Sequence, residues 1–202
     1  MNELLEKIRS RGYWKVIIRP ATFVEKRISN TSDLYPILEK TSVQVRIWGF
    51  PHLDNNEKLG INVDWIGQEI AWEYYLELWR FYQSGQFVHL SGMAEDWLDR
   101  SRLSPPDQSW KPRTFLNVVG VVFRFTEIFE FAARLAFTAA GDEQMRLEIT
   151  LSGLEGRTLW VDPSYRWGAS LLMTQKASVK ELPYKTDLAR TQLVTEPSAR
   201  SG

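Results

Sequence analysis

The side chains best suited to chemistry sit on a proline-free stretch from Thr114 to Ala140. There Arg124, Glu127, Glu130 and Arg134 fall along one side of a helix turning about 100° per residue, and Glu130 and Arg134 have the spacing of an ion pair. If this stripe faced a cleft, desolvation and pairing would shift its pKa values, and Glu127 would serve as acid or base beside a substrate-binding arginine, most naturally in a hydrolysis. The plainer alternative is a solvated stripe on a helix buried on its other sides, because such charge ladders usually face water. The sequence places no nucleophile beside Glu127.

His52 with Asp54, and His89 with Glu95 and Asp96, are the two histidine–carboxylate neighbourhoods. Either would orient a base or bind a metal, but the spacing matches no metal motif, so a hydrogen-bonded surface or packing histidine is expected and no metal is assigned. Asp64, Glu69, Glu73 and Glu77 invite a nuclease or glycosidase reading. On one strand, however, Glu69, Glu73 and Glu77 would share a face with roughly 7 Å per two residues between them, too far for neighbours to touch, and they read as a solvent face. No phosphate-binding loop, dinucleotide fingerprint, nucleophile elbow, kinase set or deaminase signature occurs, and no cofactor is expected.

The elements that must position these residues follow from periodicity. A short amphipathic helix over residues 2–11 carries Leu4, Leu5 and Ile8 and stops at Gly12; a strand from Tyr13 to Arg19 ends at Pro20. Asn30, Thr31 and Ser32 cap a second short helix, and Val43 to Phe50 alternates like a strand. His52 to Asn62 is a polar loop long enough to carry function. Ile70, Trp72, Tyr74, Leu76 and Leu78 alternate with polar neighbours and predict a single strand, and Ser84-Gly85 predicts a hairpin. Thr114 to Ala140 is the long helix, with Phe115, Val119, Val122, Phe129, Ala132 and Leu135 as its expected buried contacts. Met145 to Leu151 and Thr158 to Val161 read as a second hairpin, and Ala169 to Met173 as a further structured piece. The expected fold is therefore α+β: an antiparallel sheet with one long helix (about 114–140) packed on a face and short N-terminal helices, forming one domain over 1–195 with a loose tail at 196–202.

Composition bounds the function classes. The 202 residues carry 25 Lys plus Arg against 25 Asp plus Glu, so no global field draws the chain to nucleic acid or anionic membrane. Only small basic patches remain, Lys7, Arg9, Arg11 and Lys15 beside Trp14, or Arg100, Arg102, Lys111 and Arg113 beside Trp110. There is no cysteine, and Met1 to Arg11 lacks a signal peptide's apolar stretch, which points to a cytoplasmic protein. Nine Trp, ten Phe and seven Tyr supply either an aromatic core or an aromatic binding surface.

The stretches Gly12-Tyr13-Trp14 with Arg19-Pro20, Gln83-Ser84-Gly85-Gln86-Phe87, and Thr126 to Ala136 (TEIFEFAARLA) resemble a group of uncharacterised bacterial proteins without an established activity. The resemblance implies a bacterial cytosolic source and lends no functional residues. Members continue into a further helix beyond the region of Glu196, which implies that this chain is a shortened version.

The leading expectation is a non-catalytic binding or interaction module whose partner is another protein. The proline-stiffened loop from Trp97 to Pro112 would present Trp110 as anchor, flanked by Arg102 and Trp97, unless these rings fold back as lids on the sheet. The first alternative is a hydrolytic enzyme of unfamiliar motif using Arg124, Glu127, Glu130 and Arg134; the second is a nucleic-acid accessory protein.

Overall fold

The structure, a computed structural model, describes residues 3–54, 57–98, 111–160 and 172–193. Arg100, Arg102, Trp110 and the tail 196–202 lie outside the described residues, as do most of the 97–112 loop and the start of the 169–173 piece.

The chain runs α1 (Glu3–Arg9), β1 (Tyr13–Pro20), a 3-10 turn (Thr31–Asp33), α2 (Leu34–Thr41), β2 (Gly60–Ile61), β3 (Trp65–Trp72), β4 (Tyr75–Tyr82), β5 (Phe87–Gly92), α3 (Ala94–Trp97), β6 (Phe115–Asn117), α4 (Val118–Ala136), β7 (Gln144–Ser152), β8 (Thr158–Trp160), β9 (Leu172–Lys176), β10 (Glu181–Ala189) and α5 (Arg190–Leu193). Seven strands form one antiparallel sheet in the order β10-β7-β1-β5-β4-β3-β2; β6, β8 and β9 form a second, small sheet. The protein is thus α+β, with the long helix α4 on one face of the sheet. Among the described residues no helix is long and apolar enough to cross a membrane.

Strand periodicity decides which side chains meet the helix. In β1, Trp14, Val16 and Ile18 point inward, and in β7 Met145, Leu147, Ile149 and Leu151 do the same, so both strands alternate buried and part-exposed residues. Helix α4 covers that face with Ile128, Phe131, Ala132, Leu135 and Ala136. On the opposite face Leu76, Leu78 and Leu90 receive Leu4 and Ile8 of α1, an amphipathic helix with only one apolar stripe to hide.

Four expectations need correction. Residues 70–78 are two strands: the chain reverses at Glu73-Tyr74, with Trp72 paired to Tyr75 and Glu73 at φ 42. The second hairpin is absent, since β7 pairs with β1 and β10 while β8 joins the small sheet, parallel to β6. That parallel pairing also takes Phe115–Asn117 out of the helix, which starts at Val118 with the Asn117 carboxamide accepting from the Gly120 amide at 3.2 Å. Val43–Phe50 is a closed loop, its ends bridged by reciprocal backbone bonds of 2.9 and 2.7 Å, with Ile47 84 % exposed. The hairpin at Ser84-Gly85 does form. Gly85 stands at φ 82, and a Cβ there would overlap the Ala140 carbonyl, so the turn requires glycine twice over.

Burial along α4 also differs from the expected set. Val122 is exposed and Phe129 only half-buried, whereas Phe131 is wholly enclosed and touches Phe50 and Phe87 with ring centroids 5.6 and 4.7 Å apart. Phe131→Ala should therefore cost about 3–5 kcal/mol, the range for emptying a buried ring site, and Phe129→Ala distinctly less. Urea unfolding of both variants checks this; equal losses would show that the two rings share the anchoring.

Candidate functional site

Residues facing α4 from the sheet fall into cross-strand rows, because directly opposed residues of antiparallel strands share a face. One row pairs Ile70 with Glu77 and Glu77 with Ser91, and Ser91 in turn with Trp14. The next carries Trp79 and His89. The two-residue turn at Glu73-Tyr74 is what puts Glu77 there. A turn of this length reverses the inward–outward phase, so Glu69 and Glu73 stay exposed while Glu77 is wholly buried.

Glu77 is the centre of a polar cluster. It accepts from the Tyr75 hydroxyl and from the His52 amide (3.0 Å), and its Oε1 lies 3.1 Å from His89 Nε2. The His89 contact is close enough for an ion pair, although the N–H is not aligned on the oxygen as a hydrogen bond requires. Burial alone would push the Glu77 carboxyl up; His89, Arg124 and the Tyr75 hydroxyl outweigh it and hold the carboxyl below its usual range. The Tyr75 phenol moves the other way, well above its usual value, from burial and the adjoining Glu77 charge.

Above this cluster lies half of the predicted helix stripe. Glu127, 1 % exposed, receives Arg46 bidentately (Nε to Oε1 2.7 Å, Nη2 to Oε2 2.6 Å) and has Arg124 Nη1 at 3.6 Å. Arg124 also lies over the Phe50 ring, 5.3 Å from its centroid. Glu130 and Arg134 are separated from these. They form an exposed pair at 2.8 Å, and Arg134 donates to the Ser42 carbonyl at 2.6 Å. The structure therefore brings Arg124 and Glu127 together under a third partner, Arg46, that the sequence did not single out.

Between the sheet and the first half of α4 a pocket of about 540 Å³ opens. Its walls are Trp14, Met93, Leu116, Val121, Phe123 and Trp160, with the Arg46–Trp48 loop and Tyr75 at one side. Its polar groups are Arg46, Arg124, Ser91, Asn117 and Glu95. Glu95 accepts the Asn117 amide at 2.8 Å. Burial raises its carboxyl pKa against the lowering effect of its own and Asn117's amides and of Arg157. The Ser91 hydroxyl is buried and has no hydrogen-bond partner among the described residues.

His52 joins Trp48, Trp72 and Tyr75 in a ring cluster with neighbouring centroids 5.0–6.3 Å apart. At that spacing the rings fill one another's space, so the cluster is packing and not an open cage for a cation. Asp54 stands apart with Gln68, which donates to its carbonyl at 2.7 Å. Asp96 is bound to Arg157. Among the described residues no three His, Asp or Glu side chains converge as metal ligands. Of the aromatic surface expected around 97–112, Trp97 is half-buried, with Lys7 5.4 Å and Arg11 4.2 Å from its ring centre; Trp110 and Arg102 lie outside the described residues. Trp14, grouped by sequence with a basic patch, instead turns inward.

The two shifted carboxyls give opposite pH signatures. Glu77, depressed in the fold, contributes stability that is present above its unfolded value of about 4.3 and lost as pH falls through the folded one. Glu95, raised in the fold, binds its proton more tightly there, so its contribution is lost as pH rises from about 4.3 through the folded value. Unfolding free energies measured across pH should show Glu95→Gln flattening the decline on the high side and Glu77→Gln flattening the acid limb; an unchanged profile in either variant would contradict the corresponding shift.

No family model, curated protein or solved structure matches the chain.

Proposed function

We propose that this chain is a non-catalytic binding protein whose ligand is a small molecule held in the pocket between α4 and the sheet. The observation that carries the reading is the combination of apolar walls with a few convergent polar groups in a cavity of about 540 Å³, which falls within the range of about 300–1,000 Å³ usual for ligand sites. Glu127 spends both oxygens on arginines, so it is better suited to fixing the pocket's shape than to exchanging protons with a substrate. The bacterial cytosol implied by the resemblance is the proposed setting.

One observation favours the enzyme alternative. Glu95 lines the same pocket with a raised carboxyl pKa, the environment from which a general acid works. Among the described residues its neighbours do not include a hydrogen-bonded nucleophile–base pair, since the Ser91 hydroxyl has no partner there, and we favour the binding reading.

Gly120 lines the pocket from α4, and the three atoms nearest to a Cβ there all belong to Asn117, at 3.4–3.6 Å. Gly120→Leu should keep the helix, gaining roughly 1 kcal/mol of propensity, while filling the cavity. A melting-temperature screen against a small-molecule collection should yield compounds that stabilise the parent and not the variant; compounds that stabilise both equally would place binding elsewhere. Turnover of a hit that disappears in Glu95→Gln would favour the enzyme reading instead.

A further inference from the structure

Resting on that reading, we infer that the pocket's ligand is an organic acid, an apolar body carrying one carboxylate, and that Arg124 binds the carboxylate. The observation that carries this is the state of the Arg124 guanidinium. Arg124 lines the pocket from α4 with its side chain 13 % exposed, yet it makes no hydrogen bond among the described residues. Its contacts are Glu127 Oε2, which lies 3.6 Å from Nη1 and beyond hydrogen-bond reach, and the Phe50 ring, whose centroid is 5.3 Å from the guanidinium carbon. None of its nitrogens is sealed off as Arg27 Nε is, so each keeps accessible surface. A planar fork of N–H donors left unmet among apolar walls lowers stability, and a carboxylate entering from the pocket would meet two of them in parallel. Trp14, Met93, Leu116, Phe123 and Trp160 supply apolar surface for the rest of the molecule.

The other charged groups nearby are engaged elsewhere. Glu127 takes Arg46 across both oxygens, at 2.7 and 2.6 Å, so its hold on Arg124 is electrostatic only. Glu77 accepts from the Tyr75 hydroxyl and the His52 amide and has His89 Nε2 at 3.1 Å; it too acts on Arg124 through space. Neither carboxylate is part of the pocket wall, and among the described residues Glu95 is the one that is. Burial raises the Glu95 carboxyl pKa, and the charges acting on it most are Arg157 and Asp96, not Arg124. The wall therefore presents one guanidinium with open donors and one carboxyl that burial inclines toward its neutral form. That combination matches a single carboxylate. An ammonium would meet Arg124 as a like charge, and a phosphate ester would bring up to about two charges to one open cation. A neutral amide would reach the same donors without the gain from charge.

Three probes of nearly equal size separate these cases: 2-naphthylacetate, 2-naphthylacetamide and 2-(2-naphthyl)ethylammonium, titrated calorimetrically into the intact chain. The acid should bind at least about tenfold tighter than either of the others, the scale of a charge-assisted hydrogen bond, and Gly120→Leu should abolish its binding. Arg124→Gln should bring the acid down to the affinity of the amide while changing the amide much less. Arg124→Lys keeps the charge beside Glu127 but loses the fork, and should weaken the acid severalfold; it decides the matter should the glutamine variant not fold. The amide or the ammonium binding as tightly as the acid, and blocked by Gly120→Leu, would overturn the acid class while leaving the pocket reading intact. Undiminished acid affinity in folded Arg124→Gln, or in Arg124→Lys, would overturn the role of Arg124. Binding that survives Gly120→Leu in a folded variant, or binding by none of the probes, would overturn the pocket reading together with this inference.

Discussion

The buried ion pair between Asp96 and Arg157 is the constraint on which the site depends. Both side chains have no exposure, and the guanidinium meets the carboxylate through two bonds of 2.8 and 2.6 Å. Asp96 also accepts the amides of Gly12 and Arg113 at 2.8 Å each, and Arg157 donates to the carbonyls of Gly153 (2.6 Å) and Phe115 (2.9 Å). Five stretches of chain thus converge on one charge pair: the start of β1, α3, the approach to β6, the end of β7 and the start of β8. Such a pair adds little net stability over an apolar equivalent, but leaving either partner alone would cost several kcal/mol, about 3–5 in comparable cases. Its effect is positional. It fixes α3 and β6, and with them Glu95, Leu116 and Asn117, at the pocket rim. Gly12 shows how tight the junction is, since a Cβ there would overlap the Arg157 guanidinium and crowd Met93 Sδ at 2.8 Å.

A second layer of charge closes the other side of the pocket. The loop between Val43 and Phe50 has neither helix nor strand to hold it beyond its bridged ends. Arg46 ties it to α4 through Glu127, and Phe50 plugs it into the core against Phe87 and Phe131. The bidentate geometry fixes orientation as well as distance, which a lysine at position 46 would not do. The helix, the loop and the Tyr75–Glu77–His89 cluster therefore form one electrostatic unit, with Arg124 shared between the carboxylates above and below it.

Much of the architecture was legible from periodicity. β1, β7 and the Gly85 hairpin follow from alternation and from one glycine, and the presence of α4, though not its bounds, from an apolar stretch without proline. What was not legible follows from two local causes. Alternation is blind to a turn that preserves it: Ile70 to Leu78 looks continuous, yet the reversal at Glu73-Tyr74 moves Glu77 from the solvent face to the core. A helical stripe gives direction but not company. The spacing of Arg124, Glu127, Glu130 and Arg134 says that they share a side of the helix, while the split into a buried half and an exposed half depends on Arg46, which is 81 residues away from Glu127 in sequence. Glu95 and His89 were noticed only as neighbours in sequence; their real partners are Asn117 and Glu77.

Buried polar groups are satisfied unevenly across the fold. At the Asp96–Arg157 junction Asp96 accepts at both oxygens and Arg157 donates from all three of its nitrogens, as expected where the only selection is for a fixed geometry. Around Glu77 the pattern differs: His89 Nδ1, His52 Nε2 and the Ser91 hydroxyl are all buried without a hydrogen-bond partner. Each lowers stability relative to a paired or apolar group, and they lie together: His89 and the backbone of His52 both contact Glu77, and Ser91 is its cross-strand neighbour. The same shortfall recurs at Arg27 Nε, whose other nitrogens bond Thr22, Gly141 and Asp142, so incomplete pairing does not by itself mark a site. Ser91 stands on the pocket wall, but its hydroxyl oxygen is shielded by the protein, so what distinguishes the pocket is its apolar lining with Arg46, Arg124 and Glu95 at its edge and not an exposed hydroxyl.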